Sequence, residues 1–398
     1  MTTRRNFLSY FGAISIGACA MPMHAMASGW GQQSPPDSDH PPGGGPGSNK
    51  DGSKRPGEDE MDEALEMLAP YGASFRGGLS NHGPMTAEAL ISIGHQDAVI
   101  GWVGSYLRRL EERPKASARI EAAQWEEALG KRSRSGDWHV LFSSELAESP
   151  WQKVVGRWVP RLAPGTAAAG LHSVIRVGHA VGSLTIKENA LRLDELARAL
   201  AYWAAEFMPL PGEFTEAGKL APSAAVGQIE ALPDEFRQSG GLITTQLGEL
   251  VGFEPFTKAI DLVDPASGSP DFMAELVATF AGTLFNTTSN SFDFLHAVTG
   301  AAAVAEFLPH VEKEHRDVVK AYTWQATAGI FARYSQPGLV AKVDLNATKF
   351  DAERMAKLAV ESGDEHTIKL TAACQREWLR NPDPRLLAAA MERIQRHG

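Results

Sequence analysis

Twelve histidines are spread over the 398 residues, and five of them stand among apolar or small neighbours. His82 lies in "LSNHGPMTAEAL", just ahead of a helix expected to open near Pro84, a residue favoured in a first helical turn. His172 and His179 share "GLHSVIRVGHAV", where a spacing of seven puts both on one helical stripe with Arg176 between them. His296 is embedded in "SFDFLHAVTGAAAVAEF", and in "SGDEHTIKLTAAC" His366 and Lys369 sit one turn apart beside an apolar stripe. A single imidazole of this kind is usually a hydrogen-bonded core residue. Several on separate segments suggest another chemistry, because burying them all costs desolvation unless one partner satisfies them together. A divalent transition metal is such a partner. Spacing alone leaves both readings open, and for the His366–Lys369 pair it also leaves a partly solvated helix end. His310, His315 and His397 have charged neighbours and read as surface residues, His40 falls in a low-complexity stretch, and His95 and His139 are undecided.

The elements that must carry these residues read as helices. Apolar residues recur at three and four in "MDEALEMLAP", "AEALISIG", "DAVIGWVGSYLRRLEE", "LDELARALAYWAAEFM", "DFMAELVATFAGTLF" and "DVVKAYTWQATAGIFARY". "ERPK", "PLPGE", "DPASGSP", "SQPG" and "NPDP" stop them, while Asp264 and Asp271 mark helix openings. Only "WHVLF" and "LVAKVDL" alternate like strands. The expectation is an all-α protein, one large irregular helical domain over 61–398 with a buried, histidine-rich site, such as helical bundles build from inward side chains. No G-x-G-x-x-G follows a strand, so a Rossmann-type NAD(P) or FAD site is not expected. P-loop, nucleophile-elbow, C-x-x-C and H-E-x-x-H patterns are also missing.

The chain starts with "TRRNFL" and the short apolar run "SYFGAISIGACAMPMHAMA", a twin-arginine export signal over residues 1–27 that implies the twin-arginine machinery as a partner and a periplasmic or secreted product. Cleavage before Ser28 suits "AMA"; the alternative, "IGAC", would leave a lipid on Cys19 and a membrane anchor. Residues 28–60 are Pro, Gly, Ser and charge, a disordered tether that buries nothing. Of the two cysteines Cys19 lies in the signal, so Cys374 has no disulfide partner. A net charge of −10 without a basic cluster excludes nucleic acid as a ligand.

Four segments, "LSNHGPMTAEAL", "GLHSVIRVGHAV", "DFLHAVTGAAAV" and "DEHTIKLTAA", in this order, resemble the questin oxidase family, from about residue 61 to the end. The resemblance implies oxygenation of aromatic polyketides such as anthraquinones, by Baeyer–Villiger-type insertion or oxidative ring opening. It implies a non-haem Fe(2+), held by His82, His172, His296, His366 and a carboxylated Lys369. Physically, burial favours the neutral amine, which can add carbon dioxide to become an anionic oxygen ligand. Arg176 is a departure, since fungal members tend to carry a further histidine there.

The expected activity is therefore that of a metal-dependent monooxygenase or dioxygenase acting with O2 on a phenolic or quinone-type small molecule. Arg176 is expected to hold a substrate oxyanion through a forked pair and His179 to move protons. Asp293 is a candidate acceptor orienting His296, and Trp203, Trp324 and Tyr322 are candidate pocket walls or plain core. Two other classes stay open: a metal-dependent hydrolase, which would need bridging carboxylates, and a non-catalytic periplasmic metal or ligand carrier.

Overall fold

The three-and-four spacing folds as helix throughout the computed structural model, which describes residues 58–397 except 122, 268–270, 288–290 and 337–350. In chain order the helices are α1 (Glu58–Leu68), α2 (Gly83–Ser92), α3 (Val99–Tyr106), α4 (Ser135–Glu148), α5 (Trp151–Leu162), α6 (His172–Ile186), α7 (Ala190–Ala205) and α8 (Pro222–Ala225). They continue as α9 (Ile243–Leu247), α10 (Phe272–Asn286), α11 (Ser291–Phe307), α12 (Arg316–Tyr334), α13 (Ala352–Ser362), α14 (Glu365–Arg380) and α15 (Pro384–His397). Strand among the described residues is confined to a two-residue hairpin, β1 (Ser74–Phe75) and β2 (Leu79–Ser80), paired antiparallel with Ser74 opposite Ser80. The fold is all-α. Among the described residues no helix is long and apolar enough to cross a membrane.

Several local expectations resolve differently. "WHVLF" is not a strand: it lies in α4, where Trp138 and Phe142, four apart, stack 5.6 Å between ring centroids on one buried face. Helical spacing was available there too, and burial against α7 decides for it. "LVAKVDL" falls in 339–345, outside the described residues, as do the signal over 1–27 and the tether as far as residue 57. Helix α1 begins at Glu58, three residues inside the segment assigned to the tether, because acidic residues suit a helix N-terminus. Asp271 caps α10 by accepting from the Met273 amide at 3.0 Å, whereas Asp264 caps only a turn, accepting from the Ala266 amide at 3.0 Å.

Helices α2, α6, α11 and α14 frame the histidines. Helix α6 packs against α2, α7 and α11, and α14 against α2, α11, α13 and α15. The α6–α11 approach is close because Gly178 lies on Ala303, where a Cβ would stand 2.6 Å from the Ala303 Cβ. The Leu171 side chain fills the matching space over Gly300. Two apolar clusters meet at these helices. Met85 of α2 with Leu370 and Cys374 of α14 joins the larger one, and Leu90 with Ile368 and Ala372 joins the smaller. Where two apolar bodies abut, a polar group has no route to water except through a built contact.

Candidate metal centre

His82, His172 and His366 reach the seam from helix starts, and His296 from the second turn of α11. His82 is the cap residue of α2, with Pro84 in the first turn, and its amide donates to the Tyr106 hydroxyl at 3.0 Å. No side chain caps that helix, so the imidazole points elsewhere. His172 opens α6 after three consecutive residues with positive φ: Ala169 at 51°, Gly170 at 62° and Leu171 at 67°. Two of these are not glycine, a strain of about 1–2 kcal/mol each. The bend turns the Ala169 carbonyl back to accept from His172 Nδ1 at 2.8 Å. His296 Nδ1 donates to the Phe292 carbonyl one turn back, also at 2.8 Å. His366 follows the α14 cap Asp364, which accepts from the Thr367 amide at 2.8 Å, and its Nδ1 lies 3.8 Å from the Asp364 carboxylate.

The four rings close a circuit. Centroid separations are 4.8 Å for His82–His172, 4.6 Å for His172–His296, 5.4 Å for His296–His366 and 4.6 Å for His366–His82. Lys369 Nζ stands 2.9 Å from His82 Nδ1. All five side chains are buried. Because a carbonyl can only accept, the Nδ1 atoms of His172 and His296 carry hydrogen and their Nε2 atoms carry bare lone pairs. Those two Nε2 atoms, and that of His366, are buried without a hydrogen-bond partner. Leaving one buried polar atom unsatisfied costs about 1–3 kcal/mol, so three on one circuit of rings call for a partner.

A metal ion fits that need for His172 and His366, which with His82 form a set that could hold one, and His296 lies outside that set. One nitrogen from each of His82, His172 and His366 falls within 4.8 Å of the others. Two nitrogens bound to one ion at ~2.1 Å stand at most about 4.2 Å apart, so a contraction of roughly half an ångström closes the set. The rings are also in the protonation state a ligand requires. Burial, then the neighbouring Lys369 and histidines, hold His82 and His172 well below the ordinary imidazole value, and burial with the adjacent rings does the same for His296. Burial lowers His366 too, against the pull of Asp364. Burial pushes the Lys369 amine down to about 7, with Glu365 and Asp364 opposing.

Other expected residues take different places. Arg176 closes one fork on Glu195, Nε to Oε1 at 2.7 Å and Nη2 to Oε2 at 2.8 Å, deep in the α6–α7 contact, while its Nη1 is buried without a partner. A buried guanidinium needs its own counter-ion, and Glu195 supplies it. His179 lies seven residues, ~10 Å of helix, beyond His172. Its Nδ1 donates to Glu88, which also accepts from Arg376 at 2.7 Å. Burial alone would raise the Glu88 carboxyl, but Arg376 and His179 hold it below its usual range. His179 lines a dent of about 10 Å³ with Thr299, Ala303 and Arg376, apart from the histidine circuit. Since Glu88, His179 and Arg376 follow His82, His172 and Lys369 on the same helices, α2, α6 and α14 run in the same sense away from the circuit.

Asp293 does not orient His296, since the Phe292 carbonyl does; it lies beside Tyr334, its carboxyl pushed up to about 6 by burial. Trp203 and Trp324 are core, each indole bonded to a carbonyl, Gly165 at 3.0 Å and Ala259 at 2.7 Å, and Tyr322 is buried. Sequence reading missed Phe292, whose ring rests on His296 and His366, though its i,i+4 spacing to His296 put both on one face. It also missed Glu195 and Glu88, which carry no local signal.

No protein-family model matches the chain, and a search of curated proteins returns no match.

Proposed function

We propose that this chain is a non-haem metal oxygenase acting on an electron-rich aromatic, a phenol or quinone-type molecule. The carrying observation is the circuit of four buried imidazoles in which three rings have an Nε2 without a partner. The four motifs that resemble questin oxidases contribute these residues in the same order, which is the support for Fe(2+) over other divalent metals. His82, His172, His296, His366 and Lys369 would hold the ion. When bound, iron supplies Lewis acidity and one-electron chemistry toward O2.

The remaining chemistry belongs to the chain. The Ala169 and Phe292 carbonyls fix the tautomers of His172 and His296, and Asp364 faces the outer nitrogen of His366. An amine at about 7 is half neutral at neutral pH, so Lys369 Nζ can attack carbon dioxide and release one proton, giving a carbamate. That converts a repelled cation into an anionic oxygen donor. Apolar side chains of both clusters line the seam. With its Nδ1 proton held by Glu88, neutral His179 presents Nε2 as a proton acceptor one layer out. Arg176 spends its Nε–Nη2 fork on Glu195, which leaves Nη1 as the one guanidinium nitrogen that could meet a substrate oxygen.

A two-metal hydrolase is less well supported. Among the described residues two carboxylates stand near the circuit, Asp364, which faces the outer nitrogen of His366, and Glu365, which pairs with Arg109 at 3.1 Å, and neither reaches the unpartnered Nε2 atoms. A twin-arginine start would fit the oxygenase reading, because that route carries proteins already folded, often with a cofactor loaded. Oxygen uptake by protein reconstituted anaerobically with Fe(2+) and bicarbonate, across a panel of phenols and hydroquinones, tests the proposal. Substrate-dependent uptake that disappears in His296→Ala is expected. Metal-loaded protein that consumes no oxygen with any of them would leave a carrier instead.

A further inference from the structure

We propose that Phe292 governs access to the histidine circuit and selects flat aromatic ligands for it. The inference rests on the circuit being a ligand site, and not on the oxygenase chemistry. The four imidazoles are all at most 8% exposed, whereas Phe292, touching two of them, is 43% exposed. Its ring lies 4.7 Å from that of His366 and 5.0 Å from that of His296, tilted 60° and 67°. Among the described residues it is the one ring other than a histidine in contact with the circuit. The phenyl group is therefore partly in solvent while it touches His296 and His366, two of the three imidazoles whose Nε2 atoms lack partners.

The backbone and side chain of Phe292 do separate jobs. Its carbonyl holds His296 Nδ1, and that contact persists whatever the side chain. The ring makes an edge contact and a tilted contact with two imidazoles. Phe292 is the second residue of α11, where amides lack intrahelical partners and the first turn is easily displaced. Swinging the ring outward sacrifices those contacts, and an incoming planar aromatic restores them with its own face or edge. A saturated ring of similar size fills the same space without the quadrupole that pairs with imidazole. Selection for flat ligands follows from what the displaced phenyl leaves behind.

The test uses the full chain, metal-free, with diethyl pyrocarbonate as the probe. Carbethoxylation is followed residue by residue by mass spectrometry, with the partly exposed His315 as an internal control. Phe292→Ala should speed modification of His296 and His366 by about tenfold or more, because the open state no longer has to be populated first. Phe292→Trp should slow it, with His315 unchanged in both. In the wild type, 2-naphthol should protect the two histidines better than decahydro-2-naphthol. Rates within twofold of wild type in both variants, or equal protection by the two alcohols, overturn the inference. If Phe292→Ala does not fold by circular dichroism, Phe292→Leu takes its place beside the Trp variant. Failure of the wild type to bind Fe(2+) or Zn(2+) would sink the metal centre, yet the modification rates would still decide the role of Phe292.

Discussion

Replacing Lys369 by methionine removes an amine from the buried seam while keeping a flexible apolar stem of similar length. With its pKa brought from 10.5 to about 7, the amine penalises the folded metal-free protein by about 4 kcal/mol at pH 7, each pH step being worth ~1.4 kcal/mol. The substitution also strips His82 Nδ1 of its 2.9 Å partner, a loss of roughly 1–2 kcal/mol. Lys369→Met should therefore stabilise the metal-free protein at pH 7 by about 2–3 kcal/mol. The pH dependence has a definite sign. Between about 7 and 10.5 the unfolded chain binds the proton that the folded chain has lost, so wild-type stability rises with pH across that window. The advantage of methionine must shrink accordingly and vanish near pH 10. Urea midpoints of chelator-treated wild type and variant at pH 7 and pH 10 measure both. A variant no more stable than wild type at pH 7, or a gap independent of pH, would refute the picture of an isolated amine held in an apolar seam. In metal-loaded protein the sign should reverse, because the variant lacks the donor that the carbamate provides.

Metal affinity at fixed dissolved carbon dioxide should weaken as pH falls through 7, where Lys369 takes up its proton, and Lys369→Ala should flatten that part of a metal titration between pH 6 and 8. Glu88→Gln removes the charge shared by His179 and Arg376 and should cost about 1–3 kcal/mol in a urea melt; metal content should stay at wild-type level, since Glu88 touches none of the circuit. Gly178→Val places side-chain atoms where Ala303 stands and should force α6 from α11, lowering the urea midpoint and, by shifting His172 relative to His296, metal occupancy as well.

The sequence made the helices and several of their caps legible. Pro84 and Asp271 sit where first turns begin, and "NPDP" follows the end of α14, because these signals act within a few residues. The same local logic failed for Asp264, which caps a turn, and for "WHVLF", where alternation over five residues is compatible with either period and packing on α7 chooses. Nothing local shows that four histidines from four helices meet; the Gly178–Ala303 and Leu171–Gly300 contacts set His172 against His296, and the packing of α2 on α6 and of α14 on α2 and α11 brings in the other two. The positive φ angles at Ala169 and Leu171 were invisible because neither residue type prefers them. Arg176 was read as a free clamp because its counter-ion, Glu195, lies nineteen residues away on α7. Spacing along one stripe suggested that His179 joins His172, but two helical turns carry it into the next layer, with Glu88.

Elemental analysis of protein purified and reconstituted anaerobically with Fe(2+), alongside His172→Ala and His296→Ala, bears most directly on the shared partner of the three unsatisfied imidazoles. One iron per chain in the wild type, and little in either folded variant, is the expected result. Full occupancy in both variants, or no bound metal in the wild type, would contradict it.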